Sequence, residues 1–319
     1  MNNSIFKVLR SGINTTYQDE GRFGLQHLGV PPSGCMDYKS FLVANALVGN
    51  KKNYGVIEFA YQGPLLKLIK GKTKIAITGN VIFKIIKSNN NFFEGACNRT
   101  YDLNEGDQVD ILATNRSAYG YLSVEGGFEI ESFCNSVSTL VKANIGHNNG
   151  KKISIEDKVI INQSRKNENN FKAKVNLESN DIIRVLKGPQ YDYFSDESKK
   201  IFFSQSYKIS NLTDRMGMRL EGKVLKNIVN TNIRSEGITK GAIQVPADGQ
   251  PIILLTDCPT IGGYAKIANV ITADYDLLVQ KIPGTNISFQ CIELDEAEEL
   301  YKKRYDNISK IIKDIKEIN

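Results

Sequence analysis

Residues 56–87 read VIEFAYQGPLLKLIKGKTKIAITGNVIFKIIK, and this run decides the fold class. It divides into short stretches rich in Val, Ile, Leu and Phe at 56–60, 65–69, 74–78 and 81–86, parted by Gly, Pro or Asn. Branched and aromatic side chains suit a pleated surface, and Gly, Pro and Asn suit turns, so the pattern reads as successive strands. Residues 108–112 and 119–124 continue it, and six strands at this spacing predict a barrel or sandwich. Within the run, Gly71-Lys72-Thr73 resembles the end of a phosphate-binding loop. Leu66 stands where such a loop needs its first glycine, however, and a strand follows where a helix is required, so the triplet reads as a β turn.

The rest of the chain agrees with a mainly β protein. Its 319 residues can bury a large core, and 41% hydrophobic against 24% charged residues excludes disorder throughout. The net charge of +6 comes from scattered basic residues rather than a stripe with interleaved aromatics, so no nucleic-acid partner is expected. Cys35, Cys97, Cys134, Cys258 and Cys291 are odd in number, widely spaced and without a CxxC pair, which reads as reduced thiols. No apolar run approaches the roughly 20 residues of a membrane helix, and MNNSIFKVLRSG lacks a signal-peptide core. A cytoplasmic location and no membrane partner are expected.

Residues 5–10 read as a first strand, and 12–34 as ordered loop in which Gln18, Asp19, Arg22, Gln26 and His27 lie among glycines and prolines. Asp37 is placed to cap a helix carrying Phe41, Leu42, Ala46 and Leu47, which Gly49 stops. The polar stretch 162–176 reads as an exposed crossover between halves. The expected organisation is an N-terminal β half at 1–165, a second β half at 175–292, and an amphipathic helix at 293–319 with Ile308, Ile311, Ile312 and Ile315 on one face. Within the second half a Gly-Pro-Gln turn, a short helix near 194–203 and strands at 242–245 and 252–256 are expected.

Two histidines, His27 and His147, exclude a His-rich metal site, and no metal is expected. His147 lies in the turn GHNNG and reads as a solvated loop residue, whereas His27 belongs to the polar loop. Three clusters remain. Gln18, Asp19 and Arg22 place an amide, a carboxylate and a guanidinium on one turn, as a site or as an internal ion pair. Arg215 and Arg219 flank Met216 and Gly217, and two guanidinium forks suit a carboxylate or phosphate, or belong to a charged surface loop. Third, Glu236, Gln244, Pro246, Asp257, Gly263, Tyr264 and Lys266 set polar groups among small and apolar neighbours, where an unpaired polar atom is costly, so a core network or a ligand must satisfy them.

In this order, TTYQDEGRFGLQHLGVPPSGCMD, ITGN, VLKGPQ, DRMGMRLEG, EGITKGAIQVPADGQPIILLTD and GGYAKIA resemble the biotin-dependent carboxyltransferase-like, or allophanate hydrolase subunit 2-like, family. The resemblance runs from about residue 5 to about 290. It implies a cyclophilin-like β-barrel architecture and, for a free-standing chain, a component of an ATP-dependent 5-oxoprolinase that opens 5-oxoproline to glutamate, with its A and B subunits as partners and ATP as co-substrate. Phosphorylating the oxygen of an inert lactam makes it electrophilic, which calls for cations and a base. On this reading Asp19, Asp257 and Lys266 carry catalytic roles, Asp19 or Asp257 orienting a nucleophile. Gln18, Arg22, His27, Arg215, Met216, Arg219, Glu236, Gln244, Pro246, Gly263 and Tyr264 would bind substrate or nucleotide, on one shared cleft. Two alternatives stay open: carboxyl transfer from biotin on a separate carrier, as in urea carboxylase, and a non-enzymatic regulator that binds a kinase-inhibiting protein similar to the B subunit.

Overall fold

The computed structural model describes residues 3–163, 168–176, 179–229 and 232–318. The chain forms two compact units: Met1–Arg22 with Asp37–Leu177 and Asn307–Asn319, and Phe23–Met36 with Glu178–Asp306.

In the first unit, two antiparallel sheets bury one core. Among the described residues one has the order Lys158–Ile161, Ser4–Arg10, Leu65–Lys70, Gln108–Thr114, Val81–Ile86 and Phe92–Gly95. The other has the order Ile13–Gln18, Val56–Ala60, Tyr119–Val124, Lys72–Gly79, Arg99–Asn104, Asn170–Lys172 and Lys316–Ile318. Phe6, Val8, Ile57, Phe59, Leu66, Ile75, Ile77 and Phe83 fill the space they enclose. Gly71, at φ +84°, makes the turn between Leu65–Lys70 and Lys72–Gly79. Asp37 caps the helix Tyr38–Leu47 by accepting from the Ser40 amide at 2.9 Å, which satisfies one of the donors that a helix start leaves open.

Three places in the chain differ from the sequence reading. Residues 13–18 are a strand paired with Val56–Ala60, although their polar side chains and flanking glycines suggest loop; Thr15, Thr16 and Tyr17 supply the β-forming surface and are all buried. Asn170–Lys172, inside the expected crossover, pairs with Lys316–Ile318, while residues 164–167 of that crossover lie outside the described residues. The last helix is Leu294–Lys313, with acidic residues in its first turn and lysines in its last, as the helix dipole favours, and the chain then continues as that strand.

The second unit contains a closed barrel in the order Ile182–Lys187, Lys266–Val270, Ala242–Gln244, Ile252–Leu254, Gly217–Glu221, Tyr207–Ile209 and Asn286–Cys291. Alternation sends Ile183, Val185, Met218 and Leu220 inward, while Arg219 is exposed between the last two. The helix Asp196–Ser204, capped by Ser195, lays Phe202 flat on Phe289 of the barrel at 4.6 Å between centroids. Beside the barrel, Asn232–Gly237 and Ile261–Tyr264 form a two-stranded ribbon. The fold is therefore mainly β and contains a closed barrel, as expected.

One glycine fixes how the Gly-Pro-Gln turn rides on the barrel. Gly188 donates to the Ile267 carbonyl at 2.9 Å, and a Cβ there would stand 2.2 Å from the Lys266 carbonyl oxygen. The obstacle is backbone, which cannot rotate away. Gly188→Ala is therefore expected to destabilise the chain by about 1–3 kcal/mol, read as a lower midpoint in urea unfolding; an unchanged midpoint would show that the turn is free to shift.

Candidate functional site

Lys266 opens a central barrel strand, and its side chain is 6% exposed. A buried ammonium needs a counter-charge, because the desolvation of an unpaired ion amounts to several kcal/mol. That partner is Glu236, on the ribbon, whose carboxylate forms an ion pair with Lys266 Nζ. Beyond Glu236, no acceptor bonds the ammonium among the described residues. Gln190, from the Gly-Pro-Gln turn, ties the pair together: its Nε2 donates to Glu236 Oε1 at 2.8 Å, and its Oε1 accepts from the Lys266 amide at 3.2 Å. The Lys266 ammonium, and after it the Gln190 amide, hold the Glu236 carboxyl below its ordinary pKa, so it is ionised at neutral pH.

Gln244 is the register partner of Lys266 on the next strand and is 5% exposed. Its Nε2 has no hydrogen-bond partner among the described residues, an uncommon state for a buried amide. A Cβ on Gly262 would lie 2.7 Å from that nitrogen, and Gly262 is the register partner of Glu236 on the ribbon. Glycine there lets the amide nitrogen approach the backbone beside the ion pair. Together these groups set a buried ammonium and an N–H donor without an acceptor among the described residues near one partly exposed carboxylate. Such an arrangement can bind a carboxylate or polarise a carbonyl oxygen.

A second polar group in the same unit centres on Asp257. Arg215 grips it with two bonds, Nε to Oδ2 at 2.8 Å and Nη2 to Oδ1 at 3.0 Å. Ser33 Oγ donates to Oδ1 at 2.6 Å, and Arg215 Nη2 also reaches the Gly34 carbonyl at 2.6 Å. The anion in the Arg215 fork is thus this internal carboxylate, and the pair fastens the 33–34 backbone to the barrel. Arg219 is exposed on the outer side of its strand, Met216 donates its amide to Asp214, and Pro246 accepts from Gly249 in a turn. Gly263 and Tyr264 lie on the ribbon, Tyr264 exposed; His27 is exposed in a short 3-10 helix.

Gln18, Asp19 and Arg22 belong to the first unit, where all three engage residues 138–139 or their neighbours. Asp19 is buried and accepts from Ser136 Oγ at 2.7 Å, Ser138 Oγ at 2.5 Å, and the Val137 and Gly21 amides at 2.7 and 2.8 Å. Arg22 donates to the Ser138 carbonyl, and Gln18 Nε2 to Thr16 Oγ1 and the Thr139 carbonyl. Four donors on one carboxylate hold a loop firmly. A cavity of about 370 Å³ in this unit is lined by Tyr17, His147, Lys152 and Asp157 among others. His147 is only partly exposed there, its ring edge-on to Tyr17 at 5.7 Å.

Two participants escaped the sequence reading. Gln190 stood in the motif VLKGPQ and Ser33 in PPSG, so the signal was present as motif. Their roles depend on partners 76 and 224 positions away.

A buried lysine and an amide that meets no acceptor among the described residues thus stand at the ends of neighbouring barrel strands. The chain belongs to the family described as Carboxyltransferase domain, subdomain A and B, whose profile matches residues 28–291. It is 32% identical to the C subunit of 5-oxoprolinase from Haemophilus influenzae across 93% of this chain and 95% of that protein. To the corresponding 5-oxoprolinase component of Escherichia coli it is 31% identical across 92% and 93%. The crystal structure of the K. lactis urea amidolyase superposes with a TM-score of 0.88 at 28% identity, covering 98% of this chain and 20% of that one.

The Asp257–Arg215 pair predicts a stability effect. Both side chains are about nine-tenths buried, so Arg215→Met strands a carboxylate and is expected to cost about 3–5 kcal/mol in urea unfolding; a loss below about 1 kcal/mol would mean that water reaches Asp257. Burial, with the Asp257 carboxylate adding to it, pushes the neighbouring Cys258 thiol up to about 11. The thiol is the protonated form below that pH, so iodoacetamide at pH 8 is expected to label exposed Cys134 and leave Cys258 intact by peptide mass spectrometry.

Proposed function

We propose that the chain is the C-type component of an ATP-dependent 5-oxoprolinase, acting with A-type and B-type subunits to open 5-oxo-L-proline to L-glutamate, with ATP as co-substrate of the complex. The observation that carries this reading is coverage: the chain aligns with nearly the full length of two proteins named as the C subunit of 5-oxoprolinase. The chemistry supports it. 5-Oxoproline bears one carboxylate and one lactam carbonyl, and the Lys266, Gln244 and Gln190 donors offer an ammonium and amide N–H groups to such oxygens. Charge developing on a lactam oxygen would be stabilised by donors already placed on barrel strands and on the turn that packs against them. Asp19 and Asp257 each accept several internal donors, and in this reading they hold the loops that carry residues 18–22 and 33–34.

A second reading, carboxyl transfer with carboxybiotin supplied by a separate carrier, is favoured by the superposition on urea amidolyase. The chain spans only a fifth of that protein, whose remaining parts it would have to find elsewhere. The test is reconstitution. The chain mixed with A-type and B-type 5-oxoprolinase subunits is expected to release glutamate from 5-oxoproline only when ATP is present. Lys266→Met in that complex is expected to lower kcat/KM by about 10²–10³-fold, the usual effect of losing one fixed oxyanion donor. Undiminished turnover by the variant would remove Lys266 from the site, and ATP-dependent turnover of urea with a biotinylated carrier in place of 5-oxoproline would favour the second reading.

A further inference from the structure

We propose that Glu236 is a placeholder, its carboxylate occupying in the free chain the position that the carboxylate of a small acidic ligand takes beside Lys266 Nζ, Gln190 Nε2 and Gln244 Nε2. This rests on the reading of that cluster as a substrate receptor.

Four observations converge on it. Lys266 is buried and has to face an anion at all times, yet the anion that it faces is 43% exposed and belongs to the ribbon rather than to the barrel. The ribbon strand Asn232–Gly237 is exposed at nearly every position, so little packing holds it in place. The occupancy is also incomplete. Glu236 Oε1 takes the Lys266 and Gln190 donors, while Gln244 Nε2, buried beside Gly262, the register partner of Glu236, meets no acceptor among the described residues. A ligand carboxylate entering with both oxygens has a lone pair for each of the three donors. Finally, Glu236 has solvent to move into, because its own side chain already borders water.

Exchange of one carboxylate for another keeps the charge at the site constant. The ammonium is never left alone in an apolar surrounding, so the swap avoids the desolvation that makes breaking a buried pair costly. The price of the arrangement is competition, since the ligand binds only that fraction of molecules in which Glu236 has swung out, and its apparent affinity falls by that fraction.

The measurement is calorimetric titration of the full chain with 5-oxoproline and, separately, with propionate as a plain carboxylate. Glu236→Gln and Glu236→Ala remove the competing charge, and both are expected to bind each probe about ten-fold more tightly than the parent chain, while their unfolding midpoint without ligand falls because Lys266 has lost its counter-charge. Lys266→Met is expected to bind neither. Equal or weaker binding by both Glu236 variants would overturn the placeholder, as would binding that survives Lys266→Met or an absence of binding in every form. Tighter propionate binding with no binding of 5-oxoproline would uphold the placeholder and count against the 5-oxoprolinase reading instead.

Discussion

A lysine ammonium inside a β-barrel cannot be left without a partner, and much of this site follows from that constraint. Lys266 sits at the start of a strand with barrel strands on both sides, so its amine has nowhere to snorkel to water through its own strand. The protein answers from outside the barrel, with a carboxylate on a short ribbon, and it steadies that carboxylate with Gln190. A hydrophobic residue at 266 would pack at least as well. Retaining a charge where an apolar side chain would serve stability equally is what one expects of a group kept for binding or chemistry.

The remaining polar groups hold backbone in place. Asp257 and Arg215 satisfy each other with two parallel bonds, and the same guanidinium and carboxylate reach Gly34 and Ser33, so a segment of early sequence is anchored to a late part of the barrel. Asp19 performs the corresponding task in the first unit, where four donors converge on it from residues 21 and 136–138. Gly188 and Gly262 act by having no side chain. One lets the Gly-Pro-Gln turn lie on the Lys266 carbonyl, and the other lets the Gln244 amide reach the ribbon. Rigid attachment of this kind is what fixed donors need, because their advantage lies in not having to move when charge develops.

How much of this could be read from the sequence depended on how local the cause was. The helix after Asp37 was legible because its cap bond spans three residues, and the strands of 56–87 because alternation and turn residues are local patterns. The strand Ile13–Gln18 was hidden by its own polarity, since Thr15, Thr16 and Gln18 are buried through hydrogen bonds and not through apolar character. At the site, Lys266, Gln244 and Glu236 were recognisable as polar residues in apolar company. That Arg215 would close on Asp257, 42 positions away, was not, because a guanidinium looks the same in sequence whether its anion is internal or a ligand. Gln190 was overlooked for a related reason: an amide in a turn acquires a role only from the strand that folds against it.

Central to the proposed chemistry is that Lys266 and Gln244 receive the carboxylate of a substrate. A crystal structure of the reconstituted complex with 5-oxoproline bound tests this most directly. The ligand carboxylate is expected within about 3 Å of Lys266 Nζ and Gln244 Nε2, with the Glu236 side chain turned away. A ligand bound elsewhere, with the Lys266–Glu236 ion pair intact and Gln244 still unpartnered, would contradict it.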